Sequence, residues 1–326
     1  MNRNPVNQLA RSSNATRVFA WRLPPRLVVA VVAVAFVELG LHLFFARRAP
    51  RPEDWARARG AVESLYHPGD LVAVAPYWAE PMARWKFGSS LMPLAEVARP
   101  DVSRYPRAIE VSAMGAHDPE LVGWALEDQT KVGPLVIRRL RQPSPPTIHY
   151  VFTDHVDGSA AEAFLEGSGH TTPCLFTMSA TVQTGGLSGN PTFPAARFAC
   201  GMGRGEQFAG ITIIDDERYR PRRCIWMHAP GGSQEMGIRF WQVPLGDVIQ
   251  GHTGAHWMFE REATSSFVVR VLVDGDEIGS VVHQDGTGWS PFRLVLKSDH
   301  AGHTSNVEFR VAAPGGHPAC LEADAR

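Results

Sequence analysis

The chain has 326 residues, long enough for two domains beyond a leader or anchor, and its 32 basic and 33 acidic residues leave a formal net charge of −1. A balance that even gives no electrostatic basis for binding nucleic acid or a strongly charged partner. Nearly all the basic residues are arginine, with Lys86, Lys131 and Lys297 the three lysines.

The first 26 residues carry Arg3, Arg11, Arg17, Arg22 and Arg26 and no acidic residue, and they read as a basic tail. From Leu27 to Ala46 follow twenty residues in which only Glu38 and His42 can ionise. At helical rise that run covers roughly 30 Å, the hydrocarbon thickness of a bilayer, and it predicts a transmembrane helix over 27–46. Arg47, Arg48, Arg51, Arg57 and Arg59 follow, diluted by Glu53 and Asp54, so the flanking charges are nearly tied. Four cysteines further on favour an oxidising compartment for the body. The expectation is a cytoplasmic tail, a single-pass membrane helix and extracytoplasmic C-terminal domains. A cleaved signal peptide is the alternative, but the apolar run is long for that role and no small-x-small site follows. Glu38 and His42 are four apart and share a helical face, either pairing with each other or meeting another membrane protein.

Residues 52–141 predict a small α/β domain. Pro52 to Tyr66 has Trp55, Ala58, Val62 and Leu65 at helical steps, with a proline suited to a first turn. His67-Pro-Gly-Asp70 ends it, and Leu71–Ala75 is a short apolar strand. Residues 76–81 turn into a helix through Ala83–Phe87. A strand at 108–113, a helix around 119–126 and a strand at 135–140 complete an alternation suggesting half of a Rossmann-like unit, without its phosphate-binding glycines. Residues 142–146 hold three prolines and mark a boundary.

From 147 to 326 the periodicity changes to two. Phe267, Val269, Val271 and Val273 share one face of a strand ending at Asp274-Gly275, a hairpin signal. Phe292, Leu294 and Leu296 alternate with polar or outward residues, as do Val307, Phe309 and Val311. Further strands are expected at 148–153, 175–182, 196–200, 208–214, 223–228 and 237–243. Nine to eleven short strands predict an antiparallel β-sandwich of jelly-roll type, so the fold class is α+β.

The cysteines Cys174, Cys200, Cys224 and Cys320 have no C-x-x-C spacing, and an even count suits two disulfides with three pairings open. Cys174 and Cys200 flank a short β unit, and a late jelly-roll strand often returns beside earlier ones, which favours 174–200 and 224–320. Residues 251–256 read as a polar, glycine-containing loop that presents Trp257 to solvent beside His252 and His256. Residues 283–289 form a similar candidate around His283. Those four residues are the expected glycan contacts, against the blander reading of Trp226, Trp241, Trp257 and Trp289 as core. Asp154 and Asp157 could supply oxygens to a structural calcium. The spacings 252/256 and 300/303 would suit zinc on a helix, but both fall in predicted loops. Asp215-Asp216 could be an acid/base or metal pair, but its neighbours Glu217 and Arg218 make it read as a solvated turn rich in ion pairs. Gly201-x-Gly203-x-Gly205 precedes strand-like sequence and reads as a hairpin loop. No nucleophile elbow, zincin or Walker motif occurs. Catalytic residues are therefore unassigned.

The segment E-D-W-A-R-A and then H-P-G-D-L-V-A-V-A-P-Y-W, directly after an apolar helix ending F-V-E-L-G-L-H-L-F-F, resembles a junction in GT-C type (polyprenyl-phosphate-sugar-dependent) glycosyltransferases, between the last membrane span and the exported domain. Glu53, Asp54, Trp55, Pro68, Gly69, Asp70 and Trp78 carry the likeness, which covers less than a third of the chain. The resemblance implies an accessory module beside a multi-span enzyme. That family's catalytic acid sits on a loop of a multi-span bundle, so no catalytic residue carries over to a chain with one span. The combined expectation is a non-catalytic, membrane-anchored envelope protein that binds glycan or assists a glycan-assembly glycosyltransferase. A polysaccharide-acting glycosidase or esterase is the alternative, and a structural subunit without ligand is the third.

Overall fold

The computed structural model describes residues 24–180, 193–200, 207–262 and 265–326. The basic tail up to residue 23, the glycine loop 201–205 and the end of the strand expected at 175–182 lie outside them. Two units are distinguished, one ending at Ala49 and one running from Pro50 to Arg326. The first contains helix α1, Pro25–Arg48, with Pro24 and Pro25 at its start. Its 24 residues reach about 36 Å at helical rise, so α1 is long and apolar enough to cross a membrane.

In the second unit, helix α2 spans Pro52–Leu65. Its first turn is closed by the Asp54 carboxylate, which accepts the Arg51 backbone N–H at 2.8 Å. Trp55, Ala58 and Val62 form its buried face, and Trp55 packs on Phe87 with ring centroids 6.1 Å apart. Strand β1 is Leu71–Ala75, buried throughout. A 3₁₀ turn at Tyr77–Ala79 leads into α3, Glu80–Phe87, and a short α4 follows at Leu94–Val97. Strand β2 is Arg107–Ala113, β3 is Ala125–Val132 and β4 is Leu135–Arg141. They form a four-stranded sheet of order β1-β2-β4-β3, in which β1 and β2 are parallel and the other pairs antiparallel.

This corrects the half-Rossmann expectation. The helix read at 119–126 is only a 3₁₀ turn, Pro119–Leu121, and the charged stretch after it is the exposed edge strand β3. Charged side chains on an edge discourage further pairing, and they also hide the strand from an apolar-periodicity reading.

The remaining strands are β5 (Tyr150–Val151), β6 (Ala161–Gly167), β7 (His170–Thr177), β8 (Arg197–Ala199), β9 (Phe208–Asp215) and β10 (Pro221–Ala229). After these come β11 (Glu235–Pro244), β12 (Val248–Gly254), helix α5 (Trp257–Glu262), β13 (Ser266–Val273), β14 (Asp276–Gln284), β15 (Ser290–Val295), β16 (Thr304–Ala312) and β17 (His317–Ala325). Their order is β14-β13-β16-β11-β6-β7-β8-β9-β10-β17-β12-β15, with β5 paired to β17. All pairings are antiparallel, and the two ends of the order, β14 and β15, come side by side, so the sheet nearly closes on itself. Its interior is one continuous apolar core. At the centre Phe152, Phe240 and Phe309 meet edge to face, with centroids 4.8 to 6.1 Å apart.

Cys174 is bonded to Cys200 and Cys224 to Cys320. The second bridge joins the neighbouring strands β10 and β17 and closes a loop over a separation of 96 residues.

The two sheets, expected as separate domains, lie in one compact unit. The chain before β2 lies along the large sheet: Arg223 N–H donates to the Ala98 carbonyl at 2.7 Å, and Arg222 Nη1 donates to the carbonyls of Arg99 (3.0 Å) and Pro100 (2.9 Å). The Trp289 indole N–H reaches the same Pro100 carbonyl at 3.1 Å. Arg104 and Arg326 neutralise Glu322 and Asp324 on β17.

Candidate functional site

Where β1 ends, the chain turns outward through Tyr77 and Trp78 before α3 begins at Glu80. Opposite, β9 and β10 are joined by a tight turn over 216–220. Between them lies a cleft of about 560 Å³. Tyr77, Trp78, Glu80 and Arg84 line one wall, and Ile213, Asp215, Tyr219 and Arg220 line the other. Trp78 is 59% and Tyr219 53% exposed, well above the level of core aromatics.

The turn is built around Asp216, which is itself buried. Its Oδ1 accepts the backbone N–H groups of Arg218 and Arg220, each at 2.9 Å, and its Oδ2 accepts Arg222 Nε at 2.9 Å. These bonds hold Tyr219 at φ +59°, the left-handed region that a bulky residue rarely enters. The expected solvated turn is therefore a turn with ion pairs, but its central carboxylate faces inward. Arg220 donates to Glu120 at 3.0 Å and lies over the Tyr77 ring at 4.7 Å, tying the walls together.

Two cleft carboxylates have no hydrogen-bond donor among the described residues: Glu80 and Asp215. Burial raises the Glu80 carboxyl above its ordinary value, against the pull of Arg99, Arg84 and Arg220. Burial, with help from the neighbouring Asp216 charge, raises Asp215. The Arg84 guanidinium likewise makes no ion pair among the described residues. The cleft thus offers apolar ring faces, two carboxylates without hydrogen-bond donors among the described residues and a guanidinium that attracts Glu80 without closing an ion pair with it.

The residues singled out from sequence are dispersed. The stretch 251–256 is not a loop: most of it is β12, paired on both sides, to β17 and to β15. Alternation sends His252 and Thr253 to opposite faces. His252 stacks on Trp289, with centroids 5.5 Å apart and ring planes nearly parallel, and burial pushes its imidazole down to about 4. His256 is buried, accepts the Met258 N–H at Nδ1 (3.4 Å), and burial pushes it down to about 4 as well. His283, fully buried on β14, donates from Nε2 to Glu260 at 2.8 Å and stacks on Phe267. Burial alone would raise the Glu260 carboxyl; His283 and the amides of Ala255 and Gly286 outweigh that and hold it below its ordinary value. These histidines are buried or nearly so and do not form one surface; His256 and His283 are hydrogen-bonded within the fold, whereas His252 is held by its stacking on Trp289.

Trp257 is different. It opens α5 half-exposed, 5.6 Å from the Tyr219 ring, with the Arg261 guanidinium over both rings at 4.9 and 5.0 Å. It therefore adjoins the cleft through Tyr219. Asp154 is engaged by Arg223 at 2.7 Å, and Asp157 accepts the Ser159 and Ala160 amides, so both carboxylates named for calcium are already used. Among the described residues no group of three or more His, Cys, Asp or Glu side chains is arranged to hold a metal.

Of the residues carrying the glycosyltransferase resemblance, Asp54 caps α2, Trp55 fills the core, Gly69 turns at φ +91° and Asp70 accepts the His67 amide. Only Trp78 reaches the cleft. In the sequence Trp78 stands out only through that resemblance, and 76–81 reads as a turn into a helix. The opposite wall had the sequence Asp-Asp-Glu-Arg-Tyr-Arg, whose exposed tyrosine is not distinguishable from a solvated turn without the fold.

No family model matches the chain, and no curated protein matches it. Among solved structures, it is similar to the CBM51-2 and INT domains of ZmpB from Clostridium perfringens: 13% identity, 55% of this chain and 40% of that one, TM-score 0.27. It is also similar to a xylanase 10C variant from Cellvibrio japonicus solved with xylopentaose: 11% identity, 38% and 25% of the two chains, TM-score 0.23. The chain spans less than half the length of either, and TM-scores this low transfer neither a fold nor an activity to it.

Proposed function

We propose that this chain is a non-catalytic, membrane-anchored protein of the bacterial envelope whose body binds glycan in the cleft between the small sheet and the β9–β10 turn. In this reading α1 is the anchor over 27–46, the tail is cytoplasmic and the nearly closed sheet is an extracytoplasmic jelly roll. Its service would be to a glycan or to a multi-span glycan-assembly glycosyltransferase. The observation that supports the reading is the chemistry of the walls. Sugar rings present C–H faces that stack on indole and phenol rings, and hydroxyls that donate to carboxylates and accept from guanidinium groups. Trp78, Tyr77 and Tyr219 supply the first, and Glu80, Asp215 and Arg84 supply the second. Convergent polar groups in a concave, part-apolar site are the general form of a small-molecule site.

The test is a glycan array probed with the full chain in a zwitterionic, sugar-free detergent. Retention on a defined subset of glycans, lost in Tyr219→Ala, is expected. Retention on none would favour a structural subunit without ligand.

One observation favours a second reading, hydrolysis: Glu80 and Asp215 lie in one cleft and both are raised by burial, as a general acid must be. Mass spectrometry of oligosaccharide recovered after prolonged incubation separates the two. Intact ligand is expected for the binding protein, and shortened ligand for the enzyme.

A further inference from the structure

We infer that the ligand is a linear chain of several sugars, held across two aromatic stations that Tyr219 joins, rather than a single terminal sugar. The inference rests on the glycan reading of the cleft and goes beyond it in naming the ligand's length and a second subsite. The first station is the cleft itself, with Trp78 and Tyr77. The second is the surface made by Trp257 and Arg261 on α5, which adjoins the cleft through Tyr219 without being part of its lining. Tyr219 stands between them. It lines the cleft, while its ring lies 5.6 Å from Trp257 and 5.0 Å from the Arg261 guanidinium.

The turn that carries Tyr219 and the helix that carries Trp257 are each held by a buried carboxylate. Asp216 fixes the turn that carries Tyr219, as described above. Glu260 fixes α5: its Oε1 accepts the Ala255 amide at 2.9 Å, and its Oε2 accepts the amides of Gly286 (2.8 Å) and Gly288 (3.1 Å). The Trp257 and Tyr219 planes are inclined at 50°. Successive aromatic faces at different tilts suit successive sugars, each rotated against the last, better than one ring. Aromatic stacking with little conformational entropy to lose is where affinity for a long, hydrated ligand is best gained.

The experiment titrates the full chain with size ladders, from monosaccharide to hexasaccharide, of β1,4-linked glucose, β1,4-linked N-acetylglucosamine and α1,4-linked galacturonate. The expected result is affinity rising at least tenfold between monosaccharide and tetrasaccharide of the recognised ladder. Trp257→Ala should abolish that rise, leaving monosaccharide affinity and the thermal midpoint unchanged. Trp78→Ala should weaken every length. If Trp257→Ala lowers the thermal midpoint, Arg261→Ala, which removes only the cation over the two rings, should flatten the rise in its place. Length-independent affinity, or a rise that survives both variants, overturns the inference and leaves the cleft reading standing. Failure of the unmodified chain to bind any ladder overturns the glycan reading itself.

Discussion

His252 and His256 lie four residues apart, yet one faces the seam between the sheets and the other the base of α5. In each, burial disfavours the imidazolium and depresses the pKa to about 4. The unfolded chain has histidines near 6.5, so between about pH 6.5 and pH 4 it binds more protons than the folded one. Stability is then fully present above pH 6.5 and is lost as pH falls, by at most on the order of 3 kcal/mol for each histidine. Glu260, held below its ordinary value, adds to the loss at lower pH still. Urea unfolding at pH 7.5 and pH 4.5 should show this fall, and His256→Gln should make it shallower. A stability independent of pH over that window would mean that these imidazoles are solvated. Spacing alone could not separate a buried histidine from a surface one: both sit among glycines, and burial depends on strands far away in the chain.

At the scale of elements, the apolar and periodic parts were legible and the inverted ones were not. Strands β1, β13 and β16 follow alternating or continuous valine, leucine, alanine and phenylalanine, and α2 follows its three- and four-residue steps. Strand β17 has the sequence His-Pro-Ala-Cys-Leu-Glu-Ala-Asp-Ala, poor in β-branched residues and carrying two acids, yet it is buried end to end between β10 and β12. Its carboxylates tolerate burial because Arg104 and Arg326 meet them, partners 220 residues away and two residues away. Strand β12 was hidden by its glycines. A Cβ on Gly251 would run into the Glu322 carbonyl and come within 2.6 Å of the Ala323 Cα, and one on Gly254 would lie 2.7 Å from the Trp289 ring. Those glycines mark close approach within a sheet, where loop flexibility is the commoner meaning. Backbone cannot step aside as a side chain can. Gly251→Ala should therefore destabilise by roughly 2–4 kcal/mol, read by chemical denaturation, through separation of β12 from β17. An unchanged midpoint would show that β17 has room to move.

At the scale of the whole molecule, the site belongs to neither sheet alone. The turn after β1 and the start of α3 supply Trp78 and Glu80, β9 and the turn after it supply Asp215 and Tyr219, and residues 98–100 fasten the two parts through Arg222, Arg223 and Trp289. Periodicity locates the strand-rich part beyond 147 and strands β1, β2 and β4 of the smaller part, but Trp78 enters only through the glycosyltransferase resemblance and Trp257 only as an expected glycan contact, because the seam between the sheets is made of arginines and backbone carbonyls with no periodic signature. The most direct measurement of the central claim compares two exposed tryptophans seven residues apart. Trp78 lines the cleft, whereas Trp85, 68% exposed on α3, lies outside it. Each variant would be titrated calorimetrically with the glycan the array selects. Trp78→Ala should lose about tenfold to a hundredfold in affinity, as a buried stacking contact of about 1.4–2.7 kcal/mol would require, with its melting temperature intact, while Trp85→Ala binds as the unmodified chain does. Equal affinity of the two variants would contradict the account and move the binding surface away from the cleft.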